Sequence, residues 1–141
     1  MFYFKVYFFW KFCMILSFVI FSKKRILFEK KYGDFKFLQE HAFDIIGSKG
    51  VNFLFLEKHT IVFKNINDVY LSFVIDDENE FFYLNILNII TNFITTNLFE
   101  ISEKNYYLNF YQVNEVIDAF ILDGIVVTVE ESKIFSEINY A

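Results

Sequence analysis

Between Phe81 and Phe99 the polar residues Asn85, Asn88, Asn92 and Thr95 recur at spacings of three, four and three, and most other positions are apolar. That spacing predicts a helix. A helix wetted along so narrow a strip must be covered on two sides, by a sheet beneath it and by a neighbouring helix or a partner protein beside it. The chain is thereby restricted to a layered fold. The acid-rich run Asp76-Asp77-Glu78-Asn79-Glu80 leads into this helix. Asp77 with Glu80 can form a capping box, and the carboxylates favour the positive helix end.

The sheet comes from five short apolar runs. Ile15 to Phe21 and Arg25 to Tyr32, separated by Ser22-Lys23-Lys24, read as a hairpin without the Asn-Gly of the strongest turns. Val51 to Leu56, Thr60 to Asn65 and Val69 to Ile75 follow with three-residue connectors, which favour consecutive antiparallel pairing. Between the two groups, Phe35, Leu38, Ala42, Phe43, Ile45 and Ile46 recur at three and four, predicting a helix from Phe35 to Ile46 that Gly47-Ser48-Lys49-Gly50 stops. A further helix is predicted from Tyr106 to Leu122, through Leu108, Tyr111, Val113, Val116, Ile117, Phe120 and Ile121, with Asp123-Gly124 as its stop. Ile125 to Val129 reads as extended, and Glu130 to Ile138 as a short helix that Thr128 caps with Glu131. The order β-β-α-β-β-β-α-α, with a small final helix, gives an α+β fold: a five-stranded antiparallel sheet with one helix on one face and two on the other. Strands apolar almost throughout fit a sheet dry on both sides.

At 141 residues without proline, this is the length of one domain, long enough to bury a core without disulfides or metal. Residues 1–14 read as an aromatic amino-terminal extension and residues 15–138 as the domain. The content of 55% hydrophobic and 23% aromatic residues excludes an intrinsically disordered chain. Residues 1–31 carry a net charge of +6; with −5 overall, the rest carries −11. An acidic body repels nucleic acid, and no basic stripe extends past residue 31. The single Cys13 excludes an internal disulfide and fits a reducing compartment. The run Met1 to Phe21 is broken by Lys5 and Lys11, leaving ten apolar residues against the roughly 20 of a membrane span. The bulky cationic residues after it are unlike a signal cleavage site. A signal anchor remains the alternative reading, since Lys23-Lys24-Arg25 follows it in the sense of the positive-inside rule.

Catalytic chemistry is not evident. Glycines at 33, 47, 50 and 124 form no phosphate loop, and neither His41 nor His59 has a second ligand at i+3 or i+4. Cys13 lies among Phe12, Met14 and Ile15, as an inert thiol would. Asp76, Asp77, Glu78 and Glu80 are explained by a helix start. The sequence predicts no enzyme, no cofactor, no metal and no small-molecule substrate.

Three segments carry a resemblance. Leu56-Glu57-Lys58-His59-Thr60-Ile61-Val62-Phe63-Lys64, Asp68-Val69-Tyr70-Leu71, Glu78-Asn79-Glu80 and Leu87-Asn88 resemble the middle of the zeta subunit of coatomer. Phe110-Tyr111-Gln112-Val113, Val116-Ile117-Asp118 and Asp123-Gly124-Ile125-Val126 are similar to the closing helix of the small subunits shared by coatomer and the clathrin adaptors. Arg25-Ile26-Leu27-Phe28-Glu29-Lys30-Lys31-Tyr32 is similar to their second strand. The resemblance covers residues 15 to 138 and implies a longin-like α-β-α sandwich. It departs from the family at Asp123-Gly124, where two glycines are usual, at Thr128-Val129, and in the turn Ser22-Lys23-Lys24. Glu78-Asn79-Glu80 and the residues preceding the first strand favour zeta-type over sigma-type chains.

The resemblance implies a non-catalytic subunit of the COPI vesicle coat on the cytosolic side of Golgi membranes and vesicles. There it would pair with the large gamma subunit of coatomer, recruited indirectly by an Arf-family GTPase. Two alternatives stand beside it: a clathrin-adaptor sigma chain that binds dileucine signals, and a membrane-anchored longin protein using Met1 to Phe21. The contact residues expected on the two late helices are Phe82, Tyr83, Ile86, Tyr106 and Tyr107.

Overall fold

A computed structural model describes residues 15–48, 51–76 and 78–130. The amino-terminal extension, the capping role of Asp77 and the final helix beyond Glu130 lie outside the described residues. Strands β1 (Ile15–Ser22), β2 (Ile26–Lys31), β3 (Phe53–Phe55), β4 (Thr60–Ile66) and β5 (Val69–Ile75) form one antiparallel sheet in the order β2-β1-β5-β4-β3. The β1–β2 hairpin and the β3–β4–β5 meander therefore join through β1 and β5. Helix α1 (Gln39–Gly47) carries the chain from one edge of the sheet to the other.

All eight residues of β1 are buried because it is central in the sheet and covered on both faces. Phe18 and Ile20 face one core, while Val19 and Phe21 face the other. Strict alternation would put Ile15 opposite Phe18. A bulge between Ile15 and Ser17 instead keeps both on the same face. Strand β5 alternates without interruption: Val69, Leu71, Phe73 and Ile75 enter the first core, and Val74 enters the second. Each fully buried side chain of this size contributes roughly 1.5–3 kcal/mol, so these two strands anchor both layers.

The two faces carry different elements. On one, Ala42 and Ile45 of α1 pack with Phe37 against Val19, Phe21, Ile61, Phe63 and Val74. On the other lie α2 (Glu80–Asn97), the short α3 (Glu103–Leu108) and α4 (Phe110–Phe120). Helix α2 is covered from within the chain: its Tyr83, Ile86, Leu87, Ile90 and Phe93 are buried, and Phe93 meets Phe120 of α4 at 6.2 Å between ring centroids. Of its polar stripe, Asn85, Asn92 and Thr95 stay wet, while Asn88 accepts a 2.6 Å bond from Lys64 Nζ.

Four boundaries differ from expectation. Helix α1 begins at Gln39 rather than Phe35, because Phe37 is drawn into the core ahead of it. His41 then stands in the first turn, where its Nδ1 accepts the Leu38 N–H at 2.9 Å. The helix predicted from Tyr106 to Leu122 is interrupted at Asn109, and its first part begins earlier, at Glu103. The Asp123-Gly124 stop is a hairpin turn instead, joining β6 (Ile121–Leu122) to β7 (Ile125–Val126). Both turn residues have positive φ, at 52° and 85°, as a two-residue hairpin of this hand requires. Strand β3 is confined to Phe53–Phe55 within the expected Val51 to Leu56.

Candidate partner interface

An exposed aromatic feature surrounds the break at Asn109. Ser102 caps α3, its Oγ accepting the Asn105 N–H at 3.2 Å. At the other end, the Asn109 side chain donates to the Asn105 carbonyl at 2.8 Å, and its N–H bonds the same carbonyl at 3.0 Å. A polar residue thus satisfies the last turn of α3, and the chain restarts as α4 at Phe110.

Behind the break stands a compact backing. Tyr106 is buried and its hydroxyl donates to the Leu27 carbonyl at 3.3 Å. Phe28 of β2 meets Phe18, Tyr106 and Phe110 at 6.1, 6.3 and 5.8 Å, in edge-to-face contacts that suit aromatic quadrupoles. Lys30 of the same strand binds Asp118 and Asn114 of α4. In front, Tyr107, Leu108 and Tyr111 project outward, with Leu108 72% and Tyr111 79% exposed.

The ridge lies on a basic border. Arg25 places its guanidinium 5.1 Å from the Tyr107 ring centroid and bonds Glu103 at 2.8 Å. That bond, ahead of one from Ser22, holds the Glu103 carboxyl below its ordinary range. Lys23, Lys24 and Lys104 line the adjoining groove, with Asp68 as its other acid besides Glu103. Burial, then the neighbouring Tyr107, raises the Tyr106 hydroxyl pKa, so it remains a neutral donor. Tyr32 is raised chiefly by burial and further by Asp118 and Asp123.

A second apolar region occupies the far end of the sheet. Phe53 and Phe55 of β3 lie 6.2 Å apart, and Phe53 meets Phe81 of α2 at 5.2 Å. Phe55 is 65% and Phe81 72% exposed, with Phe82 exposed beside them. The seven residues of β5 span about 20 Å between this end and the ridge.

The five residues expected to meet a partner are therefore not brought together. Phe82 is exposed at one end of the molecule and Tyr107 at the other. Tyr83, Ile86 and Tyr106 are buried within the chain and leave no surface for a partner. Leu108 and Tyr111, read from the sequence among the apolar positions of one helix, are outward: at about 100° per residue they lie opposite the buried Tyr106, Val113, Val116, Ile117 and Phe120. The signal available in sequence was that angular spacing.

Among the described residues, no three His, Cys, Asp or Glu side chains gather so as to hold a metal. No described helix is long and apolar enough to cross a membrane. Residues 17–141 match the family described as clathrin adaptor complex small chain. No curated protein matches the chain. Among known structures, it is similar to a chain of one described as a homology model of the full-length AP-3 complex in a stretched open conformation. The TM-score is 0.67 at 19% identity, covering 89% of this chain and 92% of that one. At that identity the likeness concerns the fold: a longin-like α+β sandwich built on a five-stranded antiparallel sheet.

Proposed function

Because this chain belongs to the family of clathrin adaptor complex small chains, we propose that it is the non-catalytic small subunit of a vesicle coat and docks on a large helical subunit through the α3–α4 ridge. The observation carrying this reading is the pair Tyr107 and Tyr111, exposed with Leu108 over the rigid backing of Tyr106 and Phe28. Preformed aromatic anchors of this kind lose little entropy on docking and dominate interface energetics. With Phe110 and Arg25 they form the centre of a patch that a partner burying about 1,600 Å² would cover. Of the five residues expected from the sequence, Tyr107 belongs to this patch. Tyr83, Ile86 and Tyr106 support surfaces from beneath, and Phe82 stands apart.

Within the family, the segments Leu56 to Lys64 and Glu78-Asn79-Glu80 favour the coatomer zeta subunit. Its large partner would be coatomer gamma, and its place the cytosolic side of Golgi membranes and COPI vesicles, with an Arf-family GTPase acting through the large subunits. The functional unit would be residues 15–138, with residues 1–14 as an extension. A sigma-type chain of a clathrin adaptor, binding dileucine signals, is the second reading within the same family. Affinity purification of the tagged chain with identification of the large co-purifying protein decides between them. A coatomer gamma subunit is expected, a clathrin adaptin would install the sigma reading, and recovery of no large coat subunit would overturn both. Alkaline extraction is expected to release the chain from membranes; retention would contradict a peripheral coat subunit.

A further inference from the structure

The opposite end of the sheet offers a different chemistry. Strand β3 is an edge, with no described strand beyond it. The Asn52 carbonyl accepts the Phe63 N–H at 2.9 Å, and the Leu56 N–H donates to the His59 carbonyl at 2.8 Å. In an antiparallel ladder, residues bonded to the neighbour alternate with residues turned away from it. Asn52, Leu54 and Leu56 thus face β4, while Phe53 and Phe55 turn their backbone N–H and C=O groups to the open edge. Phe-Leu-Phe carries no lysine or proline, the usual residues that discourage pairing at an edge.

The side chains and charges beside this edge say what could pair with it. The Phe53, Phe55 and Phe81 rings make an apolar shelf on the α2 side. Next to it lies a groove of about 630 Å³ bordered by Glu57, Asp76, Glu78 and Glu80, with Lys58 and His59 as its basic groups. His59 Nδ1 is 4.0 Å from Asp76, and among the described residues Glu57, Glu78 and Glu80 are in no ion pair. Four carboxylates against one lysine favour a cationic occupant. A second copy of this chain would bring the same carboxylates to the contact and be repelled.

We infer that the β3 edge is a docking site for an extended segment of a partner protein, one that alternates apolar residues with lysine or arginine and adds to the sheet as a further strand. Backbone bonds to Phe53 and Phe55 hold the segment, its apolar side chains lie on Phe55 and Phe81, and its cations meet the acidic border. This surface is separate from the ridge, so the inference stands or falls independently of the coat-subunit reading.

The test is a fluorescence-anisotropy titration of the full chain with a capped nine-residue peptide alternating lysine and valine. Binding is expected, weakening as salt rises, and a peptide with glutamate in place of lysine should not bind. Phe55→Pro removes an outward N–H without touching a bond to β4, and should weaken binding about tenfold, which is about 1.4 kcal/mol. Glu57→Lys with Glu78→Lys should weaken it as much; should Phe55→Pro fail to fold, this pair decides. Peptide-induced hydrogen-exchange protection is expected at the Phe53 and Phe55 amides. Unchanged affinity in the charge-reversed variant, or equal binding of the glutamate peptide, overturns the proposal. So does binding seen only after removal of residues 1–14, which would assign the edge to the chain's own amino terminus. Self-association abolished by Phe55→Pro would assign the edge to a second copy and overturn the proposal equally.

Discussion

The α3–α4 ridge and the β3 edge both expose aromatic rings, yet they are built for different contacts. The ridge is backed by Phe28, Tyr106 and the Arg25–Glu103 pair, and it lies beside Lys23, Lys24 and Lys104. Its backbone is spent within two helices, so only side chains are on offer. The β3 edge presents an unspent row of peptide groups beside two phenylalanines, bordered by acids. Apolar area alone therefore does not say how a surface recognises its partner. What distinguishes the two is whether the backbone is free and which charge surrounds the rings.

The largest effect expected from breaking this contrast is on capture of the large subunit. Tyr107→Asp with Tyr111→Asp should weaken capture in a pull-down about a hundredfold, as loss of two anchors does. Both side chains are exposed, so the thermal unfolding midpoint should scarcely move. The same charges at Phe55 and Phe81 should leave capture intact; equal losses at both ends would dissolve the distinction. Next in size is the backing. Phe28→Ala removes three ring contacts and should cost about 2–3 kcal/mol in urea unfolding, less than the roughly 3–5 kcal/mol of a fully buried phenylalanine because Phe28 is half-buried. Phe53→Ala, at the open edge, should cost less.

The smallest effect concerns Glu103. Its carboxyl pKa is lowered by the Arg25 bond, so the pair stabilises the fold above the ordinary carboxylate range, and this contribution is lost as pH falls through the lowered value. With Arg25 largely in solvent, Glu103→Gln should cost less than about 1 kcal/mol at pH 7. Wild type and variant should converge in urea unfolding once pH falls below the lowered value, and a gap that widens toward acid would contradict the assigned sign.

How far the sequence revealed this arrangement depended on the kind of signal. Strands β1, β2, β4 and β5 were legible to within a residue or two, because the central β1 and β5 are almost wholly apolar and charged or polar turns bound all four. Helix α2 was legible through its asparagine stripe. Two features were hidden because tertiary burial overrode local spacing. Phe35 and Phe37 fit a helical period, but Phe37 fills the core ahead of α1, which then starts four residues later. The apolar spacing from Leu108 to Ile121 reads as one helix, but Asn109 ends one helix and the next begins at Phe110. The pairing of β1 with β5 was also beyond local pattern, since it joins segments about fifty residues apart. For the same reason the expected contact residues divided: apolar helix positions do not themselves say which side the sheet will occupy.

The central claim is that a larger companion covers the ridge. Hydroxyl-radical footprinting of the chain, alone and in the complex purified from cells, tests it most directly. Protection of Tyr107, Leu108 and Tyr111 by about tenfold or more in the complex is predicted, with exposed Phe43 on the other face of the sheet labelled equally in both states. Equal labelling of those three ridge residues, with and without the large subunit, would contradict the account.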